Sequence, residues 1–258
     1  MSSDPIFIGG AGRSGTTLLR VILDSHSRIA CGPEIKVIPQ VCWQRDILFG
    51  HEAEFKEARL DPLYLDSLYR RLIVGLLDPY RMAMGKARAA EKSPANVFWF
   101  PTLARLFPHS PLIHVIRDGR DVVASLLRQN WLDPKTGDKP PYITDPAAAA
   151  KYWAQCVEAG RSCTTANYIE VRYEALVSEP EATLQRLFMQ IREEWEPEVL
   201  AYAAKRHGRG PQDNVFPEIS ARQVGRYRHD LTFAQLEAVM ATAGTVLEEL
   251  GYYELEAA

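Results

Sequence analysis

Two segments of this 258-residue sequence have residue types suited to holding phosphate-like anions, and each stands where a strand gives way to a helix. The first is Gly10-Ala-Gly-Arg-Ser-Gly15-Thr-Thr17, set between a short β-prone run, Pro5 to Gly9, and a periodic helical segment, Thr16 to Leu23. Backbone N–H groups of residues 13 to 17 and the helix N-terminus can converge there on an anion, with the Ser14, Thr16 and Thr17 hydroxyls as further donors. The spacing follows the nucleotide-binding pattern G-x-x-x-x-G-K-[ST], except that Thr16 stands where a nucleoside triphosphatase has lysine. The loop therefore lacks the point charge that reaches β- and γ-phosphates, and Arg13 supplies positive charge instead. Gly12, Arg13, Ser14, Gly15, Thr16 and Thr17 are the candidate anion-binding residues; a glycine-rich turn without a ligand is the alternative.

The second segment is Arg117-Asp-Gly-Arg-Asp-Val-Val-Ala-Ser125. An arginine at a strand end and a serine on the first turns of the next helix can meet on one phosphate. Pairing of Arg117 with Asp118 or Asp121 at the surface is the competing reading. Two such loops in one sheet suit a ligand with separated anionic groups. A third basic run, Ser220 to Asp230, places Arg222, Arg226 and Arg228 around Gly225, a pattern whose ordinary meaning is a solvated charged surface.

These segments need a scaffold. Strands are predicted at Pro5–Gly9, Pro111–Arg117 and Tyr168–Arg172, with a further strand before Lys92. Helices are predicted over 62–77, 96–106 and 146–161, the last with Asp145 as N-cap and Pro146 in its first turn. Ser178-Glu-Pro-Glu181 reads as a capping box for a helix through Met189, and Thr232-Phe-Ala-Gln235 as another. The helix opened by the second box carries Leu236, Val239, Met240, Ala243, Val246, Leu247 and Leu250 on one face, a packing stripe. Strands alternating with helices predict an α/β fold, a central parallel sheet flanked by helices with ligands at the strand carboxyl ends, in a single domain spanning 1–258. Two irregular stretches, 131–145 and 207–225, are long enough to be functional loops.

Composition limits the partners. A formal net charge of −3 argues against a surface dedicated to nucleic acid or anionic membrane, so an anion site must be local. No run approaches the ~18 apolar residues of a membrane span, and the first residues lack a signal-peptide pattern, so a cytoplasmic protein is expected. Cys31, Cys42, Cys156 and Cys163 follow no metal-ligand spacing and read as buried free thiols.

Ile6 to Arg20, continued by Leu23-Asp-Ser-His26 and Cys31-Gly-Pro-Glu-Ile-Lys-Val-Ile-Pro39, resembles the 5′-phosphosulfate loop and following segment of sulfotransferases that use 3′-phosphoadenosine-5′-phosphosulfate (PAPS). The likeness, strongest to the tyrosylprotein sulfotransferases, extends through Glu91-Lys-Ser-Pro94, Arg117 to Arg128, and Ala154 to Leu176. It implies a P-loop-containing sulfotransferase-like fold and transfer of a sulfuryl group from PAPS to an acceptor hydroxyl, leaving PAP. No metal is required, because the transferred group carries less negative charge than a phosphoryl group. The implied donor-binding residues, besides the loop, are Arg117 and Ser125 at the 3′-phosphate, Arg226 and Arg228 in a segment that folds over it, and Tyr173 against the adenine. The implied catalytic set is Glu34 as general base, Lys92 on the leaving oxygen, Arg13, and Ser220 as an assisting serine. For Tyr173 a core position at the strand end, and for Glu34 a plain surface glutamate, are the alternatives. Cys31 matches a cysteine whose disulfide partner position is Glu91 here, and Cys156 and Cys163, read as ~10 Å apart on one helix, do not bond either.

The expected acceptor is a peptide tyrosine or another phenol, with a small-molecule or carbohydrate hydroxyl as the alternative; a homodimer is compatible with the sequence. A nucleotide kinase using Asp118 for magnesium is opposed by Thr16, and a PAP-binding module without catalysis is opposed by Glu34 and Lys92.

Overall fold

The computed structural model describes residues 4–133, 136–204 and 219–252, so most of the stretch 207–225 lies outside the described residues. Its elements run β1 (Ile6–Gly9), α1 (Thr16–Ser25), β2 (Ile29–Cys31), α2 (Ile38–Phe49), α3 (Glu52–Glu57), α4 (Pro62–Ala83), β3 (Arg88–Lys92), α5 (Phe100–Leu106), β4 (Leu112–Ile116) and α6 (Gly119–Leu126). After these come α7 (Pro146–Arg161), β5 (Tyr168–Arg172), α8 (Tyr173–Ser178), α9 (Pro180–Gln190), α10 (Tyr227–Asp230) and α11 (Phe233–Glu249). The described strands form one parallel sheet in the order β2-β3-β1-β4-β5.

Alternating side chains of β1 feed both faces, as a central strand must. Ile6 and Ile8 pack with Leu19, Ile22 and Leu23 of α1 and Leu184, Leu187 and Phe188 of α9. Phe7 packs on the opposite side with Phe100, Leu103, Val122, Trp153, Val239 and Leu247, contributed by α5, α6, α7 and α11. The packing stripe of α11 is buried at Val239, Ala243 and Leu247, and the Thr232–Gln235 capping box is formed. Asp145 caps α7 through Ala148 N–H at 2.7 Å.

Several predicted features are corrected. The sequence reading omitted β2, whose three residues are too few to show a period. The strand before Lys92 is β3, with Lys92 as its last residue and Arg88 buried at its start. Arg88 is accommodated because Nε donates to Asp4 O at 2.9 Å and Nη1 to Ile191 O at 2.7 Å. The predicted helix 96–106 is a 3₁₀ segment, Pro94–Trp99, followed by α5; Pro101 has no N–H with which to continue the preceding turn. The Ser178–Glu181 box does not form: Ser178 closes α8, donating to Glu174 O at 2.8 Å, and Glu179 starts α9 without a side-chain cap. All four cysteines are free and buried, and Cys163 lies past the end of α7, so the helix between it and Cys156 is not unbroken. Among the described residues no helix is long and apolar enough to cross a membrane.

Candidate active site

Each strand of the sheet leads, at its carboxyl end, to one candidate site residue. β2 leads through Gly32 and Pro33 to Glu34, β3 ends on Lys92, β1 runs into the loop 10–15, β4 is followed by Arg117 and β5 by Tyr173. Sheet order therefore lays them out as Glu34, Lys92, anion loop, Arg117, Tyr173. The base and lysine candidates stand on one side of the loop and the second anion site on the other.

The loop conformation depends on Gly15, which has φ of 94° and whose added Cβ would lie 2.4 Å from the Tyr173 ring. Any side chain there would strain the backbone and push the ring out. Arg13 adopts φ of 73°, a left-handed conformation unusual for a residue with a side chain, and that strain is characteristic of functional loops. Polar groups at and beside the loop lack partners among the described residues: Ser14 Oγ and Arg117 Nε are buried and make no hydrogen bond there. Buried polar atoms are normally paired, so two orphans beside one loop fit an anionic ligand that supplies acceptors. Lacking a lysine, the loop offers such a ligand backbone, hydroxyl and guanidinium donors.

Arg13 joins this loop to the second site, with Nε donating to Ser125 Oγ at 3.1 Å. Arg117 Nη1 donates to Arg13 O at 3.2 Å, Nη2 donates to Gln223 O, and the guanidinium lies 4.6 Å from the Tyr173 ring centroid. Tyr173 is buried, its ring held between Gly15 and Arg117. Of the two readings of Arg117, the ion pair with Asp121 exists at 3.3 Å, but it is buried rather than at the surface and leaves Nε unpaired. Burial lowers the pKa of Arg13, and Arg117 and Arg128 lower it further. Cations crowded in this way favour an anion between them.

The basic run around Gly225 is only partly drawn in. Asp121 accepts Gly225 N–H at 2.8 Å and Tyr227 N–H at 2.9 Å, which fastens the segment beside Arg117. Arg226 turns to Asp230 at 3.2 Å and Gln223 Oε1 at 3.1 Å, and Arg228 lies over the Tyr227 ring at 5.1 Å. Ser220 caps its own turn, accepting Arg222 N–H at 3.3 Å. Asp118 caps α6 through Arg120 N–H at 2.9 Å and pairs with the Arg120 guanidinium at 2.7 Å, which occupies the carboxylate a kinase would give to magnesium.

Glu34 and Lys92, distant in sequence, meet: Lys92 Nζ lies 2.5 Å from Glu34 Oε2 and 3.3 Å from Thr17 Oγ1. The lysine is buried, whereas the Glu34 side chain is 25% exposed and so accessible to an entering molecule. This ammonium thus stands between the loop and the carboxylate.

Sequence reasoning missed two residues beneath the loops. Tyr152 Oη accepts Gly12 N–H at 3.0 Å and its ring stacks on Tyr142 at 4.8 Å, while Trp153 Nε1–H donates to Arg117 O at 3.0 Å. Both lie on α7 and support the two anion sites from below; their only sequence signal was adjacent aromatics on a helix. Glu91 was also passed over. It is buried and accepts Ser93 Oγ–H at 2.7 Å and Asn96 Nδ2–H at 2.6 Å, and Asn96 Nδ2 also donates to Ile8 O at 3.0 Å. The network ties the end of β3 to the end of β1, next to Lys92 and the loop.

Burial pushes the Glu91 pKa up from 4.5 to about 7, against the lowering influence of Asn96, Ser93 and Lys92. The fold therefore favours its protonated form: that stability is complete below the unfolded pKa and is lost as pH rises through the folded one. Glu91→Gln should flatten the melting temperature between pH 5 and 8, with a gain on the order of 1–3 kcal/mol above pH 7. A variant that loses stability over that range as steeply as the parent would remove Glu91 as the responsible group.

A family model described as "Sulfotransferase family" matches residues 5–197. Protein-tyrosine sulfotransferase 1 of Danio rerio is 32% identical over 209 residues, covering 76% of this chain and 55% of that protein. Protein-tyrosine sulfotransferase 2 of Gallus gallus is 32% identical over 212 residues, covering 76% and 53%. The chain thus spans about half the length of these relatives. Among solved structures, the sulfotransferase domain from the Synechococcus PCC 7002 olefin synthase has a TM-score of 0.62 at 22% identity, covering 98% of this chain and 96% of that one. It has the same fold. The matched residues include the loop, Glu34, Lys92, Arg117 and Tyr173, the positions that the five strand ends deliver to one edge of the sheet, and the chain belongs to the sulfotransferase family.

Proposed function

We propose that this protein transfers a sulfuryl group from PAPS to the hydroxyl of a peptide tyrosine or another phenol, releasing PAP. The observation that carries this reading is the bridge formed by Lys92, which touches both Thr17 of the anion loop and Glu34. A donor held with its 5′-phosphosulfate on the loop and its 3′-phosphate near Arg117 and Ser125 has the reacting sulfur on the Lys92 side. The names of the Danio rerio and Gallus gallus relatives support tyrosine as the acceptor.

In this mechanism the acceptor oxygen forms its bond to sulfur as the bond from sulfur to the bridging oxygen breaks. Glu34 takes the acceptor proton, and the electron pair of the broken bond stays on the 5′-phosphate of PAP. Lys92 and Thr17 stabilise the charge that develops on that oxygen. Arg13, Ser125 and Arg117 hold the distal phosphate and so fix the line of displacement.

PAP without magnesium should raise the melting temperature by roughly 5–10 °C at a hundredfold excess over Kd, and ATP with magnesium should do little. Transfer from labelled PAPS to tyrosine peptides, simple phenols and sugars, assayed in parallel, identifies the acceptor. Stabilisation by ATP with magnesium but not by PAP would sink the reading.

A further inference from the structure

We propose that Arg20 and Asp24 are positioning residues for Glu34, clamping the backbone turn that carries it; this rests on the reading of Glu34 as the base. Both lie on α1, the helix that the anion loop opens, and residues four apart on a helix share one face. Arg20 is fully buried, and its Nη1 donates to Cys31 O at 3.1 Å and Gly32 O at 3.3 Å. Asp24 Oδ1 accepts Cys31 N–H at 2.9 Å. One helix face thus grips Cys31 through both its N–H and its carbonyl. Beyond Gly32 only Pro33 precedes Glu34, and proline fixes its own φ. The orientation set at residues 31 and 32 is therefore passed on to the carboxylate.

A third residue closes the clamp. Tyr80 Oη–H of α4 donates to Asp24 Oδ2 at 3.1 Å, and the Tyr80 ring covers Gly32 so closely that an added Cβ would lie 3.0 Å from it. Lys86 donates to the backbone oxygens of Asp24 and, at 2.9 Å, Ile29. The contacts form a circuit: Thr17 of α1 to Lys92, Lys92 to Glu34, and Glu34 back through Gly32 to Arg20 of α1. Donor loop and base share one rigid mount. A guanidinium buried against carbonyls is an expensive way to fill space, since an apolar side chain would pack there without desolvating a charge. Its directional bonds give what an apolar side chain would not, a fixed distance between base and donor, and displacements near 1 Å can lower rates ~100-fold.

The test is a double-mutant cycle on the full chain, combining Arg20→Lys with Glu34→Gln and measuring turnover, PAP affinity and melting temperature. A lysine keeps the charge but replaces the planar fork with a single ammonium. Arg20→Lys should lower turnover roughly 10–100-fold with PAP affinity within about twofold, and should lower it less than about twofold further in the Glu34→Gln background. Equal losses in the two backgrounds, or PAP affinity falling with turnover, would overturn the positioning role while leaving the base. Parent-like turnover of Glu34→Gln alone would overturn the base, and the positioning role with it. If Arg20→Lys does not fold, Tyr80→Phe removes only the hydroxyl bond to Asp24, and a severalfold loss that vanishes in the Glu34→Gln background is expected.

Discussion

Lys92→Met should lower turnover by roughly 10²–10⁴-fold while leaving PAP affinity within about threefold, because the ammonium acts on charge that develops only as the bond to the leaving oxygen breaks. Methionine preserves most of the side-chain volume at this buried strand end and removes the charge alone. Its partner can tolerate the loss: Glu34 is 25% exposed, so water can solvate the carboxylate that the lysine leaves, and the fold should persist. Glu34→Gln is the companion measurement. It should lower turnover by a comparable factor, within the ~10²–10⁴ typical of a general base. Turnover of Lys92→Met within tenfold of the parent would show that the bridge between Thr17 and Glu34 is structural.

The parts of this site that could be read in advance are those in which chemistry and spacing are local. Gly10 to Thr17 and Arg117 to Ser125 are each one continuous strand-to-helix passage, and the structure keeps both as read. Asp145 and Thr232 could be read as caps because an N-cap acts on residues two or three positions away. The Ser178 box failed on the same kind of evidence, since the hydroxyl donates back to the Glu174 carbonyl in α8 instead of accepting an N–H ahead of it. Arg20, Asp24 and Tyr80 were invisible as a group: Asp24 and Tyr80 stand far apart in the chain, and no period in sequence reports the fold that joins them. The extent of β3 was hidden for a related reason. Its ends are charged, and only the long-range carbonyls and carboxylate that receive Arg88, and the loop threonine and carboxylate that receive Lys92, make those ends tolerable in a buried strand. The resemblance indicated Glu34 and Lys92, and the sheet order gives the physical reason, since β2 and β3 are adjacent. Ser220, Arg226 and Arg228 came from the resemblance, and the basic run that holds the two arginines also pairs locally, as Arg226 does with Asp230.

Arg117→Met should weaken PAP binding by roughly 10–100-fold and should do so selectively. The buried guanidinium holds the carbonyls of Arg13 and Gln223, faces the Tyr173 ring and keeps Nε without a partner. A free, buried, charged N–H is worth most when an anionic acceptor arrives, about 1.5–3 kcal/mol for a charge-assisted bond, and one or two such bonds give the stated range. Truncation should not leave Asp121 stranded, because its carboxylate also accepts the N–H groups of Gly225 and Tyr227. The fold should therefore survive. The decisive comparison is calorimetry with PAP and with adenosine 5′-phosphate, which lacks the 3′-phosphate. The parent should prefer PAP strongly, and Arg117→Met should lose most of that preference while binding adenosine 5′-phosphate nearly as before, since Ser14 and the Arg13–Thr17 backbone are untouched. An equal loss for both nucleotides would mean that Arg117 supports the loop through Arg13 O rather than reading the 3′-phosphate, and the order of groups across the sheet would then no longer assign the donor's two ends.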